Sequence, residues 1–369
     1  MDPQVDRIIE RRLPSRVDIL SAPVRAYFEI TQRCNLRCRH CYVGSTKSSY
    51  DGMETSRVLR VLDELHDCGV IDVRFTGGEP TMRKDWIEIL KYARRLGFAI
   101  SFNTNGMYRH PGMIAKELAK ISPEQVTLSL DGLEANHDFI RGRGAFRRLM
   151  ISARILSDAG IRLRFNTILN KKNVREVPQI IELASGLVTE INFFYFRPVG
   201  RGVDLQPLSL DFYEHFSSAM EAIGLRSRYP GLTIMHFEQS FTERSIFNFG
   251  ALENIKNALP YGNTTVGITC DGGVWPHGYT PYQDGRFRLG NIPEERLSRI
   301  WTESEKLDSI RAWFRELIAR CRRCAEYTKR CAGLNFEMEI AKLNGDIQKN
   351  NFCISQETVP SLDRILDSK

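Results

Sequence analysis

The sequence contains none of the long apolar segments that mark membrane or secreted proteins. No stretch approaches the roughly 18 consecutive apolar residues of a transmembrane helix. The N-terminal segment MDPQVDRIIERRLPSRVDIL has no uninterrupted apolar run of the kind found in a secretory signal. Low-complexity tracts and internal repeats are also absent. These absences predict a cytoplasmic protein without a membrane partner.

Charge of one sign is not concentrated in any part of the chain. The 52 Lys and Arg residues against 45 Asp and Glu give a net charge of +7, but the charges are scattered. Scattered charge is typical of a solvated surface, so nucleic-acid binding is not predicted. Nine cysteines in a chain without a secretory signal indicate metal or redox chemistry rather than disulfides.

Short apolar segments alternate with longer amphipathic ones from residue 25 to about 200. The amphipathic segments have helical periodicity, and several end in Gly, which commonly caps a helix C-terminus. Strands separated by helices pair in parallel, and the loops at their carboxyl ends carry the chemistry. The pattern predicts an α/β fold, an open partial (β/α)6 barrel, with strands at residues 26–30, 71–75, 98–103, 125–130, 161–169 and 190–196.

Changes in composition and pattern divide the 369 residues into four segments. An N-terminal extension, residues 1–24, precedes the partial barrel of residues 25–205. Residues 206–262 are predicted to form a bridging, partly helical region. From residue 263 to residue 369 the sequence changes to short strands and turns and then to helices, which predicts a small α+β domain.

Three cysteines follow the first predicted strand in the segment TQRCNLRCRHCY. Cys34, Cys38 and Cys41 have the spacing C-x3-C-x2-C. A structural zinc site would need a fourth ligand, and the nearby candidate His40 is adjacent to Cys41, which makes a shared tetrahedral shell awkward. Three thiolates can instead hold three irons of a [4Fe-4S] cluster and leave the fourth iron open to a small-molecule ligand.

The order of these motifs resembles the radical SAM superfamily, where SAM is S-adenosylmethionine. The three-cysteine segment follows a first parallel strand, and FTGGEP, residues 75–80, ends the second. The resemblance implies a partial TIM barrel and a [4Fe-4S] cluster that chelates SAM. It also implies a 5′-deoxyadenosyl radical that abstracts hydrogen from a substrate carbon. The implied partners are a small-molecule or peptide substrate and a flavodoxin- or ferredoxin-type electron donor.

Individual SAM-binding positions are inferred from the same resemblance. The Gly-Gly-Glu segment is expected to contact the methionine end of SAM, because glycines permit close backbone approach and Glu79 can accept from an ammonium group. Ser129 matches the residue that touches the SAM ribose, and Arg141 matches the one that pairs with the SAM carboxylate. The complete set inferred in this way is His40, Tyr42, Gly77, Gly78, Glu79, Asn105, Ser129, Asp131 and Arg141.

Some of these positions have a second explanation. His40 fills the slot before the third cysteine, where the family stacks an aromatic ring against adenine. Asn105 in TNG and Asp131 in LSLDG follow the third and fourth strands. Turn formation explains an Asn or Asp at such places about as well as contact with SAM does.

Four further cysteines lie late in the chain: Cys321, Cys324, Cys331 and Cys353. Their spacing alone would also suit zinc. The upstream segments ITCDGGVWPHG and FRLGNIPEERLSRIW resemble the SPASM/twitch extension of radical SAM enzymes that modify peptides and natural products, in which such cysteines hold an auxiliary [4Fe-4S] cluster. Full SPASM domains hold two auxiliary clusters, but here His277 and Asn335 stand where two of their cysteines are expected. The resemblance therefore implies a truncated SPASM domain with one auxiliary cluster and two [4Fe-4S] clusters in total.

Two cysteines fall outside both groups. Cys68, near the end of an amphipathic helix, is predicted to be a small core hydrophobe. Cys270, in GITCDGG at the junction of barrel and extension, has three explanations: a packing residue, a remaining cluster ligand or a catalytic thiol. As a catalytic thiol it would return hydrogen to the face of the substrate opposite to abstraction, which gives epimerisation. Radical SAM epimerases resemble this chain in having one auxiliary cluster and one critical cysteine that is not a ligand.

The sequence therefore predicts a radical SAM epimerase of a natural-product small molecule, of sugar, aminoglycoside or nucleoside type, or of a peptide. Dehydrogenation and thioether or carbon–carbon crosslinking of a precursor peptide or small molecule are the alternatives within the superfamily. A zinc-stabilised binding module without catalysis is the alternative outside it. Arg197 and Arg201 in FRPVGRG are candidates for the substrate side of the pocket, and a place as basic residues on a surface loop explains them at least as well.

Overall fold

The computed structural model describes residues 20–236, 261–282, 284–321, 323, 324 and 345. The helices in this part of the chain are α1 (Thr55–Cys68), α2 (Trp86–Arg95), α3 (Pro111–Ile121), α4 (Glu134–Arg141), α5 (Ala145–Asp158), α6 (Val177–Ser185), α7 (Phe212–Gly224), α8 (Leu297–Glu303) and α9 (Glu305–Cys321). The strands are β1 (Arg25–Glu29), β2 (Asp72–Thr76), β3 (Ala99–Thr104), β4 (Gln125–Ser129), β5 (Leu163–Leu169), β6 (Glu190–Tyr195), β7 (Thr233–His236), β8 (Thr265–Ile268), β9 (Gly273–Trp275) and β10 (Gly290–Asn291).

All these strands belong to one sheet with the order β10-β9-β8-β1-β2-β3-β4-β5-β6-β7. The pairs from β8 to β7 are parallel, whereas β9 and β10 continue the sheet in antiparallel fashion. The six predicted strands are confirmed and lie next to one another in chain order. The α/β class and the radical SAM type of partial barrel are also confirmed.

Two further parallel strands flank the predicted six. β7 was not predicted, and β8 falls among the short strands predicted from residue 263, although its place in the barrel sheet was not predicted. β7 lies beside β6, within the segment predicted to be bridging and partly helical, and this segment also contains α7. β8 pairs with β1, so the C-terminal region begins inside the sheet of the barrel. Each strand has four residues, too few to show a period. Most of the predicted N-terminal extension and residues 237–260 lie outside the described residues.

The helices form where apolar residues recur on one face. In α1, Val58, Val61, Leu62 and Leu65 are buried, which is the i, i+3, i+4, i+7 pattern of an amphipathic helix. Gly69 ends this helix with φ of 95° and donates its N–H to the carbonyl of Leu65, as the sequence predicts. Among the described helices, none combines the length and the apolar character that a membrane span would require.

The two faces of the sheet differ in polarity. One face carries fully buried apolar side chains, such as Phe28, Phe75 and Phe102, that form one core with the helices. Residues alternate between faces along a strand, and the opposite face carries mainly polar side chains. These include Arg25, Asp72, Arg74, Asn103, Gln125, Thr127, Arg164, Asn166, Glu190 and Asn192. The chain thus encloses a polar barrel interior whose carboxyl edge is the place for chemistry.

Candidate active site

The three-cysteine loop leaves the carboxyl end of β1 and is held by backbone contacts from distant segments. The Gly78 and Glu79 N–H groups donate to the carbonyls of Thr31 and Arg33, both at 2.8 Å. Arg201 donates its Nε to the Cys38 carbonyl and its Nη1 to the Ser45 carbonyl, each at 3.0 Å. At least two N–H donors of Arg201 therefore bind the backbone of the cysteine loop. The prediction of Arg201 as a substrate-side residue did not include these contacts.

Gly77 and Gly78 are required by the close approach of two backbones. A Cβ on Gly77 would lie 2.2 Å from the Thr31 carbonyl oxygen, and the φ of Gly77 is +145°. A Cβ on Gly78 would lie 2.3 Å from the Arg33 carbonyl oxygen and 2.6 Å from that of Gln32. The backbone of the cysteine loop therefore leaves no room for a side chain at either glycine. Contact of the same glycines with SAM stays a prediction.

The thiols of Cys34 and Cys38 are buried and surrounded by N–H donors. Asn105 Nδ2 lies 3.7 Å from Cys34 Sγ, and Arg141 Nη1 lies 3.8 Å from Cys38 Sγ. Burial raises the pKa of the Cys34 thiol to about 12, with contributions from the nearby Glu79, Cys38 and Cys41. Burial also raises the pKa of Cys38, which Arg141 opposes.

This donor set fits an iron–sulfur cluster. The three thiols lie close enough together that Cys38 and Cys41 contribute to the raised pKa of Cys34, and thiolates at such a place need metal and N–H donors to offset their charge. Within the described residues, no three Cys, His, Asp or Glu side chains are close enough to chelate a single metal ion. A [4Fe-4S] cluster does not need that closeness, because each cysteine binds a different iron.

Glu79 is fully buried at the centre of a set of hydrogen bonds. Its Oε1 accepts from the Thr104 hydroxyl at 2.9 Å and the Thr81 hydroxyl at 2.7 Å, and its Oε2 accepts from the Asn105 N–H at 2.7 Å. Burial raises the pKa of Glu79, and these hydrogen bonds oppose the rise. The carboxylate thus ties the Gly-Gly-Glu turn to the end of β3, a role the sequence does not reveal. Its predicted contact with the SAM ammonium stays a prediction.

Asp131, Arg141 and His40 form a buried network beside the cysteine loop. The Asp131 carboxylate accepts from Arg141 Nε at 2.6 Å and lies 2.9 Å from His40 Nε2. Burial alone would raise the pKa of Asp131, but the Arg141 cation and His40 hold it well below its ordinary value. His40 Nδ1 is buried without a hydrogen-bond partner in the described part of the chain, which leaves it available to a bound molecule.

The Asp131 network predicts a large stability effect. We expect Asp131→Asn to lower the free energy of unfolding by about 3–5 kcal/mol, because the Arg141 guanidinium stays buried without its anion. Urea denaturation at neutral pH measures the change. The matched control is Glu134→Gln, which removes the carboxylate of the exposed Arg147–Glu134 pair and should cost below about 1 kcal/mol. Equal losses for both variants would contradict the prediction.

The lowered pKa of Asp131 also predicts how the difference in unfolding free energy between wild type and Asp131→Asn depends on pH. The ionised carboxylate contributes its full stability above the ordinary Asp pKa of about 3.9 and loses it as pH falls below that value. The difference between wild type and Asp131→Asn should therefore be constant from about pH 6 to about pH 8 and shrink in acid.

The remaining predicted SAM residues lie around the same edge. Ser129 is the last residue of β4, is partly exposed, and pairs in register with Asn166. Asn105 follows β3, and its Nδ2 donates to Asn35 Oδ1 at 2.7 Å within the cysteine loop. The ring of Tyr42 packs edge-on against Tyr282, with 5.4 Å between ring centroids. The structure thus brings all the predicted SAM residues to the carboxyl ends of β1–β4.

Arg197 lies in an aromatic cluster. Its guanidinium carbon is 4.2 Å from the ring centroid of Tyr195 and 4.9 Å from that of Tyr279, and its Nη2 donates to the Tyr195 hydroxyl at 3.0 Å. Burial lowers the pKa of the neighbouring His277 to about 3, helped by Arg197, so His277 is neutral where the sequence expected a cysteine. The surface explanation of Arg197 is therefore wrong, and its role toward substrate stays a prediction.

Cys270 is buried beside the carboxylate of Glu29. Cys270 follows β8 by two residues, and Glu29 ends the paired strand β1. The two groups are close enough that each changes the pKa of the other. The Tyr282 hydroxyl donates to Glu29 Oε2. Burial and the neighbouring carboxylate raise the pKa of the Cys270 thiol, so this thiol keeps its proton at neutral pH.

The auxiliary-cluster prediction lies mostly outside the described residues. Cys331 and Cys353, together with Asn335, fall outside them, and α9 ends at Cys321. Cys324 is a partly exposed free thiol. Cys68, on α1, is a free thiol packed against the core, in agreement with its prediction.

A parallel sheet with clustered thiols at the carboxyl end of its first strand defines an iron–sulfur enzyme. The sequence matches the radical SAM superfamily over residues 28–184 and an iron–sulfur cluster-binding domain, SPASM, over residues 260–325. An AdoMet-dependent heme synthase from Methanosarcina barkeri is 30% identical over 353 residues, covering 92% of this chain and 98% of that protein. The chain therefore belongs to the radical SAM superfamily and carries a SPASM domain.

Solved structures share this fold. The structure of anSMEcpe with bound AdoMet has a TM-score of 0.72 and 18% identity, covering 90% of this chain and 94% of that chain. Streptococcus suis SuiB bound to precursor peptide SuiA has a TM-score of 0.68 and 18% identity, covering 80% of this chain and 68% of that chain. These likenesses support the fold and not a particular substrate.

Several residues of the site were missed from the sequence. Glu29 and Tyr282 lie 253 positions apart, and only the pairing of β8 with β1 brings their segments together. The polar barrel interior was also missed, although it leaves a signal. Strands such as β5, LRFNTIL, alternate buried and partly exposed residues, whereas strands covered on both faces by apolar layers read as continuous apolar runs.

Proposed function

We propose that the chain is a radical SAM epimerase in which Cys270 returns a hydrogen atom to the substrate. The observation that carries this proposal is a buried, protonated thiol at the carboxyl edge of the sheet. A hydrogen-atom donor must keep its S–H bond, and a thiolate has no hydrogen atom to give. The raised pKa of Cys270 therefore suits this role, whereas a nucleophilic cysteine requires a lowered one.

The proposed cofactors are SAM and two [4Fe-4S] clusters. Cys34, Cys38 and Cys41 would hold the SAM-binding cluster, and the auxiliary cluster would be held by Cys321, Cys324, Cys331 and Cys353. The bound cluster and SAM supply a 5′-deoxyadenosyl radical that removes a hydrogen atom from the substrate. Asn105 and Arg141 place N–H donors beside two of the sulfurs. We further propose a ferredoxin- or flavodoxin-type donor, a cytoplasmic location and no nucleic-acid or membrane partner.

The position of Cys270 supports inversion rather than simple quenching. Cys270 follows β8, and the three-cysteine loop follows β1. Because β8 and β2 lie on opposite sides of β1 in the sheet, the Cys270 thiol and the predicted SAM residues that follow β2–β4 also lie on opposite sides of β1. The turn that carries Cys270 is held by hydrogen bonds from Gly272 N–H to the Thr269 carbonyl and from Met53 N–H to the Cys270 carbonyl. A fixed thiol on the opposite side delivers hydrogen to the opposite face of a substrate radical.

A net oxidation is the second candidate. The AdoMet-dependent heme synthase aligns with this chain over 98% of its own length, and the name of that relative points to a tetrapyrrole. Arg74, in the barrel interior, could bind a substrate with anionic side chains. Its guanidinium packs over the ring of Tyr27, and its Nε is buried without a hydrogen bond in the described part of the chain. The proposed substrate on this alternative is a carboxylate-bearing macrocycle or a peptide.

Deuterium incorporation separates the two candidates. Reconstituted protein, SAM and dithionite are incubated in D2O with the low-molecular-weight fraction of a cell extract, and products are measured by mass spectrometry. Epimerisation predicts a product that gains one non-exchangeable deuterium from the exchanged thiol and changes in no other way. In Cys270→Ala this labelled product should be lost, while 5′-deoxyadenosine is still formed.

A labelled product at the wild-type level in Cys270→Ala would show that another group returns the hydrogen and would overturn the epimerase proposal. A product that loses two hydrogens and gains no deuterium would favour the oxidative alternative. Cys68→Ala is the control. Cys68 is a free cysteine at the end of α1 that packs against the core, so its replacement should leave both products unchanged.

A further inference from the structure

Glu29 occupies a place where a carboxylate is not expected. It ends β1 with 5% of its surface exposed and lies beside the end of β8, where the Cys270 thiol is buried. Its Oε2 accepts from the Tyr282 hydroxyl. Its Oε1 is buried and makes no hydrogen bond of standard geometry within the described residues. An ionised carboxylate buried without a cation is costly, and a protonated one costs much less.

Within the described residues, no cation forms an ion pair with Glu29. The groups that interact with its carboxyl include Tyr282, Cys270, Gln32 and Tyr42, and Asp271 acts on the neighbouring Cys270. The nearby Arg83 guanidinium donates to the Ile30 carbonyl and is paired with Asp85. Acidic and neutral neighbours leave protonation as the way to remove the buried charge. Burial accordingly raises the pKa of Glu29, although hydrogen bonds from Tyr282, Cys270 and Gln32 oppose the rise.

We propose that Glu29 is held protonated against the Cys270 thiol, with Tyr282 fixing its carboxyl group, and that it returns a proton to Cys270 after each hydrogen-atom transfer. This inference rests on the proposed role of Cys270. Glu29 acts through Cys270 and is a positioning residue, since nothing places it against the substrate.

The chemistry balances as follows. The Cys270 S–H bond breaks homolytically as the substrate radical gains a C–H bond, which leaves a thiyl radical. The thiyl radical takes one electron from a ferredoxin- or flavodoxin-type reductant and the proton of Glu29, which restores S–H and leaves Glu29 as a carboxylate. Glu29 then takes a proton from water. Each regeneration of the thiol therefore consumes one electron from the reductant and one proton from solvent.

Infrared spectroscopy tests this arrangement without a substrate. On reconstituted full-length protein at neutral pH, the wild-type minus Glu29→Gln difference spectrum should contain a carboxylic-acid C=O band that shifts in D2O. The S–H band assigned by its loss in Cys270→Ala should change frequency in Glu29→Gln. The S–H band of Cys68, assigned with Cys68→Ala, should not move. Tyr282→Phe, which keeps the carboxyl group, should shift the acid band and keep the Cys270 S–H band.

Turnover provides a second readout. Glu29→Gln should form the first equivalent of deuterium-labelled product per protein at the wild-type rate, and its later turnovers should be about 100-fold slower, the effect of losing a general acid. Glu29→Asp, which restores a carboxyl group, should recover part of this loss.

Absence of a Glu29 acid band in the wild type, or a Cys270 S–H band that is the same in Glu29→Gln, would overturn the inference. The proposed function would survive that result, because it depends on the labelled product of Cys270→Ala. Conversely, a labelled product from Cys270→Ala would remove the function and leave the infrared result on Glu29 to stand on its own.

Discussion

A variant with Cys34, Cys38 and Cys41 all changed to Ala will hold about four irons where the wild type holds about eight, and it will form no 5′-deoxyadenosine from SAM. The three thiols, which the loop after β1 brings close together, are the proposed ligands, and the described residues contain no other group of three Cys, His, Asp or Glu side chains that could hold a metal ion. The remaining four irons are expected in the auxiliary cluster. Iron and sulfide analysis of anaerobically reconstituted protein, with chromatography of the SAM products, measures both effects.

Cys68→Ala is the matched control for this variant. Cys68 is also a free cysteine with a raised pKa, about 11, caused by burial and Glu64, but it lies on α1 away from the loop. It should keep the full iron content and full SAM cleavage. A wild type with about four irons together with zinc would contradict the two-cluster proposal. The first cluster would then stand, and the C-terminal cysteines would form a structural site.

Gly78→Ala will destabilise the protein by about 3 kcal/mol or more and prevent the three-cysteine loop from binding its full complement of iron. The added Cβ would meet the carbonyl oxygens of Arg33 and Gln32 at 2.3 Å and 2.6 Å. Both neighbours are backbone atoms, so no side-chain rotation relieves the contact. The loop must move away, and its hydrogen bond from the Glu79 N–H to the Arg33 carbonyl is lost.

The matched control for this substitution is Gly112→Ala, near the start of α3. A Cβ there has nothing within 4 Å, and Ala is favoured over Gly in a helix, so we expect no loss of stability. Urea unfolding gives the free energies, and iron analysis after reconstitution gives the effect on the loop. A free energy for Gly78→Ala within about 0.5 kcal/mol of that for Gly112→Ala would contradict the steric explanation.

Short-range patterns in the sequence predicted the backbone of the barrel well. The six strands and the helices between them follow from alternation and helical periodicity, which depend only on neighbouring residues. The cysteine spacing and the Gly-Gly-Glu segment likewise predicted which residues lie at the carboxyl ends of β1 and β2. β7 and the place of β8 in the barrel sheet were not predicted, because strands of four residues are too short to show a period and are stabilised by the neighbours they pair with.

The roles of several site residues could not be predicted from the sequence, because their partners are distant in the chain. Arg201 donates to the Cys38 carbonyl across 163 positions, so its basic character alone suggested a substrate contact. Glu79 looked free to bind an ammonium group, yet Thr81, Thr104 and Asn105 already donate to its carboxylate.

The sequence by itself determined the superfamily and the parallel α/β fold, and it led to the predicted ligands of the first cluster. These depend on spacing, on periodicity and on residue types that few other chemistries require. Only the tertiary structure decided that β8 joins the barrel sheet and that Glu29, Cys270 and Tyr282 meet. The same is true of the burial of Asp131 with Arg141. The physical reason is that burial and pairing set the charge of a side chain, and both are properties of the folded chain.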